Sequence, residues 1–159
     1  MTAPMMFKPV GYVRSNADVQ ELRSRQAVAE IVVFEEFSGA LEGVEDFSHL
    51  FIIYWFHEHP GSPKPGWKAH PRGREDMPLV GVFATRVPGR PNGVGLTVVE
   101  LLERRGNTLV VKGLDAFDRS PIIDIKPYDP WDVKEGIHIP DWWTKLEKEK
   151  MARGGNPTP

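Results

Sequence analysis

This sequence predicts a mainly β fold, a small barrel or sandwich with one C-terminal helix and one long proline-rich loop in a single domain. Three observations predict it. Apolar runs are short and rich in β-branched and aromatic residues, 15 glycines and 15 prolines punctuate 159 residues, and clear helical patterning is confined to the C-terminal segment. No Gly-x-Gly-x-x-Gly lies between a strand and a helix, which argues against a doubly wound α/β architecture.

Taken in order, residues 7–14 read as a strand, with Pro9 tolerated near its start. Residues 16–26 are polar and turn-rich, with room for one short helical turn. Ile31-Val32-Val33-Phe34 marks a strand within residues 27–37. Residues 40–47 predict a short helix. The run from His49 to His57 is nearly all apolar or aromatic and far too short to span a membrane. It predicts a fully buried central strand with Trp55 in the core. Residues 58–78 carry Pro60, Pro63, Pro65, Pro71 and Pro78, the pattern of a long loop that is either functional or disordered. Strand-like runs at 79–82 and 97–99 flank a second loop. Residues 98–103 and 108–112 then predict a hairpin around Arg104-Arg105-Gly106-Asn107. Ile122-Ile123-Asp124-Ile125 is a further strand, stopped by Pro127. The helix opens at Pro140 with Asp141 as its cap and a surface pair between Glu149 and Arg153. Gly154-Gly155 ends it, leaving 1–153 as the folded domain and 154–159 as a disordered tail.

Composition narrows the function classes. Hydrophobic residues are 40% and charged residues 26% of the chain, an ordinary balance for a globular domain. The absence of cysteine excludes disulfides, thiolate catalysis and cysteine-ligated metal sites. No apolar run approaches the ~20 residues of a membrane span, and residues 1–6 lack a basic segment followed by an apolar core. A cytoplasmic protein without a membrane partner is the expectation. A net charge of −2 argues against non-specific binding to DNA or RNA over the whole surface, although Arg72, Arg74, Arg86 and Arg90 could form a local basic patch. For Arg72 and Arg74 the simpler expectation is pairing with nearby carboxylates.

The most informative stretch is Phe83-Ala84-Thr85-Arg86-Val87-Pro88-Gly89-Arg90-Pro91-Asn92-Gly93-Val94-Gly95-Leu96. Rigid prolines beside permissive glycines suit a loop whose amides approach a ligand closely. Two guanidinium forks and a side-chain amide supply donors for carboxylate, phosphate or ring nitrogen. Together with Gly113-Leu114-Asp115-Ala116-Phe117-Asp118-Arg119-Ser120-Pro121-Ile122-Ile123-Asp124-Ile125-Lys126-Pro127-Tyr128, this stretch resembles the TsaA-like (TrmO, formerly YaeB) family. The resemblance covers residues 7–130. It implies a small β-barrel that binds S-adenosyl-L-methionine, and an S-adenosyl-L-methionine-dependent methyltransferase acting on N6-threonylcarbamoyladenosine beside the anticodon of tRNA. It further implies tRNA as a partner and a homodimer with part of the site near the subunit contact.

Carried over position by position, the resemblance implies cofactor contacts from Arg86 and Leu96, and from the turn Asp118-Arg119-Ser120-Pro121. It implies others from Phe56 and His57 at the end of the apolar strand, and from Ser24, Arg25 and Gln26. Arg90 and Asn92 are expected to shape the loop or touch substrate. Alternation places Asp124, Lys126 and Tyr128 on one face of an extended segment. The acceptor nitrogen implied by the family is a poor nucleophile until deprotonated. The expectation is that Tyr128 or Asp124 acts as base while Lys126 orients or stabilises charge; the competing expectation is a structural Asp124–Lys126 ion pair.

His57-Glu58-His59 and His70 could suggest a metal, but histidines in proline-rich loops are usually plain surface residues, so no metal site is expected. Trp142 and Trp143 are expected to anchor the helix, leaving Trp67 as the tryptophan free to meet substrate. The chain departs from the family pattern at Gly93, where proline is usual, at Arg119-Ser120 for Gly-Thr, and at Ser24 for proline. A cation at position 119 could alter the preferred acceptor. A methyltransferase of a small molecule, and a non-enzymatic cofactor-sensing module, are the alternative readings.

Overall fold

The computed structural model describes residues 3–58 and 65–153. Two compact units emerge, one formed by Met1–Pro60 with Gly93–Asp129 and the other by Gly61–Asn92 with Pro130–Pro159. Among the described residues no helix is long and apolar enough to cross a membrane.

The first unit is a closed barrel of six strands in the order β1 (Gly11–Arg14), β2 (Val28–Val33), β7 (Thr108–Lys112), β6 (Val94–Arg105), β3 (His49–Trp55) and β8 (Pro121–Pro127). Every neighbouring pair is antiparallel. Closure leaves no free edge, and each strand presents one face to the core. Val13, Ile31, Leu50, Ile52, Val99, Leu109, Val111 and Ile122 fill the interior. The expected fully buried strand is therefore corrected. Along β3 only Leu50, Ile52 and Tyr54 are buried, while Phe51 and Ile53 lie on the outer wall and Trp55 is 37% exposed rather than in the core. An all-apolar run does not distinguish a strand covered on both faces from one whose outer face is merely shielded in part.

Local chemistry sets the connections. A short helix α1 (Val19–Ser24) precedes β2, and Asp18 and Glu21 close a reciprocal capping box at its start. The helix expected at 40–47 is instead two 3₁₀ turns, Glu35–Leu41 and Val44–Asp46, separated by Gly43 at φ 85°. The two strand segments expected at 97–99 and 98–103 are one 12-residue strand, β6, whose register shifts between Leu101 and Glu103. This strand begins at Val94, so Gly95 and Leu96 belong to the barrel and not to the preceding loop. The hairpin turn is made by Gly106 and Asn107, with Gly106 at φ 59° and the Asn107 amide donating to the Val33 carbonyl at 2.7 Å.

In the second unit, β4 (Lys68–Ala69) pairs with β5 (Val80–Gly81), and the one long helix is α2 (Asp141–Ala152). Described residues of the 58–78 segment are thus built, with 3₁₀ turns at Pro65–Trp67 and Pro71–Gly73. Its residues 59–64, like the tail 154–159, lie outside the described residues. Pro140, not Asp141, is the residue at the cap of α2, and no side-chain cap bond forms; Asp141 sits in the first turn. Glu149 pairs with Arg74 instead of Arg153, and Arg72 bonds Glu147 at 2.6 Å, as expected of charge-balancing arginines. Arg74 also clamps Asp76 at 2.5 Å, pulling its carboxyl down from 3.8 to about 2. Trp142 and Trp143 meet edge to face at 5.8 Å.

Candidate cofactor site

Strand direction decides what meets at one rim of the barrel. Because all pairs are antiparallel, β1, β3 and β7 end where β2, β6 and β8 begin. The segments Ser24-Arg25-Gln26 before β2, Phe56-His57 after β3, Leu96 near the start of β6 and Asp118-Arg119-Ser120-Pro121 at the start of β8 therefore share that rim. Residues far apart in the chain are gathered by topology alone.

The 118–121 turn is held from several sides. The Asp118 carboxylate accepts the Ser15 N–H at 2.9 Å, and the Arg119 N–H donates to the Val13 carbonyl at 2.8 Å. Arg119 adopts φ 64°, a left-handed conformation that disfavours side chains with a Cβ. The Ser120 hydroxyl, fully buried, shares a hydrogen bond with His57 Nδ1 at 3.3 Å. Pro121 opens β8 opposite Tyr12, at the first residue of a strand, where proline is tolerated. Phe56 lies edge to face on Tyr54 at 5.5 Å, and its N–H donates to the Gly93 carbonyl at 2.7 Å. Leu96 faces outward and is 56% exposed, an apolar surface at the rim.

Before β2, the Ser24 hydroxyl donates to the Glu21 carbonyl at 2.7 Å and accepts the Gln26 N–H at 3.2 Å. Arg25 ends α1 in a left-handed conformation, φ 55°, with its N–H on the Leu22 carbonyl. Both polar turns at this rim thus carry a non-glycine residue at positive φ, the kind of local strain that marks functional sites.

Asp115 is the rim residue that sequence reasoning passed over. Its Oδ1 accepts from the Tyr54 hydroxyl at 3.0 Å and from the Thr97 hydroxyl, while its Oδ2 lies 3.5 Å from the Arg25 guanidinium. Burial, with the Asp115 charge beside it, pushes the Tyr54 phenol well above its ordinary range. Tyr54 pairs with Gly95 and Thr97 with Ile52, so the two become diagonal interior neighbours only once the β3–β6 register is known, and no local signal pointed to them.

Of the three residues, Asp124 stands level with Leu96, each opposite Ile53 on the outer wall, whereas Lys126 and Tyr128 lie farther from this rim. Asp124 and Lys126 stand on the outer wall opposite Ile53 and Phe51, ion-paired at 2.7 Å. Asp124 also borders an apolar hollow of about 330 Å³ lined by Val10, Phe37, Val44 and Ile125. Tyr128 packs edge-on to Phe51 at 5.3 Å and donates its N–H to the His49 carbonyl, at the far end of β3. At ~3.3 Å per residue, β8 carries it ~26 Å from the Ser120 end.

In the second unit, Arg90 is turned into its own loop, donating to the Thr85 and Val87 carbonyls at 2.9 and 3.3 Å with its guanidinium over the Phe83 ring. Arg86 and Asn92 are exposed. Among the described residues no group of three His, Asp or Glu side chains could hold a metal ion. His59 lies outside them.

The tRNA-methyltransferase O N-terminal domain family matches residues 13–132. The chain belongs to the TrmO family. An S-adenosyl-L-methionine-binding protein of Archaeoglobus fulgidus is 40% identical over 131 residues, covering 79% of this chain and 91% of that one. A protein of Pyrococcus abyssi named a probable S-adenosyl-L-methionine-binding protein is 38% identical over 162 residues, covering 96% and 84%. A crystal structure of TrmO from Pseudomonas aeruginosa superposes with a TM-score of 0.70 at 26% identity, covering 99% of this chain and 76% of that one. The mainly β fold with a closed six-strand barrel agrees with TrmO structures.

Proposed function

We propose that this protein methylates tRNA, transferring the methyl group of S-adenosyl-L-methionine to N6 of a threonylcarbamoyl-modified adenosine beside the anticodon. Family membership makes S-adenosyl-L-methionine the cofactor and methyl transfer the chemistry. The observation that carries the site is the convergence of Arg25, His57, Leu96 and the 118–121 turn on one rim of the barrel.

That donor set fits the cofactor. A guanidinium suits the carboxylate of its methionyl end, whereas an imidazole, a hydroxyl and turn amides suit its ribose and ring nitrogens. Leu96 offers apolar surface beside them. When bound, S-adenosyl-L-methionine supplies an electrophilic methyl on a sulfonium. The residues of the chain then need only orient the acceptor nitrogen in line and exclude water, which is why a rim without a triad suffices. Arg86 is proposed as a further cofactor contact and Asn92 as a substrate contact. Arg90 braces the loop that carries both.

The test is methyl-labelled S-adenosyl-L-methionine with total tRNA from a strain lacking this protein. Label in tRNA, lost in Arg25→Ala, is the expected result; cofactor binding with unlabelled tRNA would overturn the acceptor. A second reading, methyl transfer to a small molecule, is favoured by the cation at Arg119 on the rim turn and by a net charge of −2. It expects turnover without tRNA.

A further inference from the structure

Asp115 has an arrangement that a surface carboxylate does not need. It leaves β7 just after Gly113, which sits at φ 94° with its N–H on the Ala27 carbonyl. A Cβ at Gly113 would come within 3.3 Å of the Arg25 carbonyl, so the 113–115 and 25–27 segments run side by side. Tyr54 and Thr97, both buried, aim their hydroxyls at the same oxygen, Oδ1. Two hydroxyl donors on one oxygen fix the plane of the carboxylate and leave Oδ2 turned to Arg25. Tyr54 is itself seated on Gly95, whose missing side chain makes room for the ring.

We propose that Asp115 is a positioning residue that sets the Arg25 guanidinium for cofactor binding, with Tyr54 and Thr97 holding Asp115 in turn. The inference rests on Arg25 being a cofactor contact. The division of labour follows from chemistry. A long arginine, even partly buried as Arg25 is, keeps several rotamers, and a fixed carboxylate beside it selects those that face the rim before the cofactor arrives. The Asp115–Arg25 separation of 3.5 Å is long for a closed ion pair. It leaves the fork free to engage a second anion.

The experiment is calorimetry with S-adenosyl-L-methionine on the wild type, Asp115→Asn, Arg25→Ala and the double variant. Each single change is expected to weaken binding about tenfold, the scale of a charge-assisted hydrogen bond. The double variant is expected to bind no more weakly than Arg25→Ala alone, because Asp115 acts through Arg25. If Asp115→Asn weakens binding by the same factor in the Arg25→Ala background, or binds like the wild type, the inference is overturned. Tyr54→Phe repeats the cycle without touching charge and covers the case in which Asp115→Asn does not fold. A several-fold loss with Arg25 present and none without it is expected, and equal losses in both backgrounds would overturn the proposal. A wild type that binds no S-adenosyl-L-methionine would instead overturn the cofactor reading, and the inference with it.

Discussion

Ser120 and His57 are 63 positions apart in the chain, yet the buried serine hydroxyl meets His57 Nδ1 at 3.3 Å and so fixes an imidazole that is otherwise half-exposed at the rim. The hydroxyl loses water on burial and regains a partner in the ring. Ser120→Ala is expected to cost about 0.5–1.5 kcal/mol of stability and to weaken cofactor binding about fivefold by freeing the ring. Chemical denaturation and calorimetry on the same preparation check both. Unchanged binding would remove His57 from the cofactor site.

Gly95 is required by volume, not by backbone angle. A Cβ there would lie 2.6 and 2.7 Å from Cε2 and Cε1 of Tyr54, whose hydroxyl is tied to Asp115. Gly95→Ala is therefore expected to destabilise by about 1–3 kcal/mol through overpacking. A thermal melt reads the loss. Tyr54→Ala placed on top should recover part of the strain while losing ring burial, so the two changes will not add.

What the sequence made legible was whatever short-range chemistry controls. The 106–107 turn, the short helical turn within 16–26 and the proline that stops β8, Pro127, all act within a few positions. The candidate cofactor residues of the barrel unit came from motif resemblance, and the barrel brings them to one rim because alternate strands run in opposite directions. Asp115 was missed because its partners come from β3 and β6, which only the barrel brings to it. Tyr128 shows a second limit. Period-2 alternation put Asp124 and Lys126 on one face, but says nothing about distance along the strand, and β8 leaves Asp124 level with Leu96 while carrying Lys126 and Tyr128 away from the rim.

Replacing Lys126 and Tyr128 together by Ala and Phe is accordingly expected to leave S-adenosyl-L-methionine affinity within about twofold of wild type. The Lys126–Asp124 ion pair is exposed, and such pairs contribute only about 0–1 kcal/mol. Calorimetry checks the affinity. A loss of more than tenfold would mean that the cofactor reaches the outer wall of β8.

Arg119 adopts φ 64° at an exposed position on the rim turn. A left-handed L-residue costs roughly 1–2 kcal/mol, partly offset by the greater unfolded entropy of glycine. Arg119→Gly is expected to raise stability by about 0.5–1 kcal/mol, a melting shift of ~2 °C. If the cation also selects the acceptor, the same variant changes the ratio of turnover on tRNA to turnover on small nucleophiles while cofactor affinity stays constant.

Arg74 ties α2 to the 70–77 segment through Asp76 and Glu149, and its hydrogen bonds hold both carboxyls below their ordinary values, that of Asp76 at about 2. A folded-state value below the unfolded one means that ionised Asp76 stabilises the fold at every pH above ~3.9, and that this contribution fades as pH falls through about 2. Arg74→Ala should therefore melt below the wild type at pH 6, with the gap narrowing between pH 4 and pH 2. The pairs are solvent-exposed, so the gap at pH 6 should also shrink when salt is raised to 1 M, where the Debye length is about 3 Å. A gap that is constant across both titrations would show that Arg74 acts through packing of its stem rather than through charge.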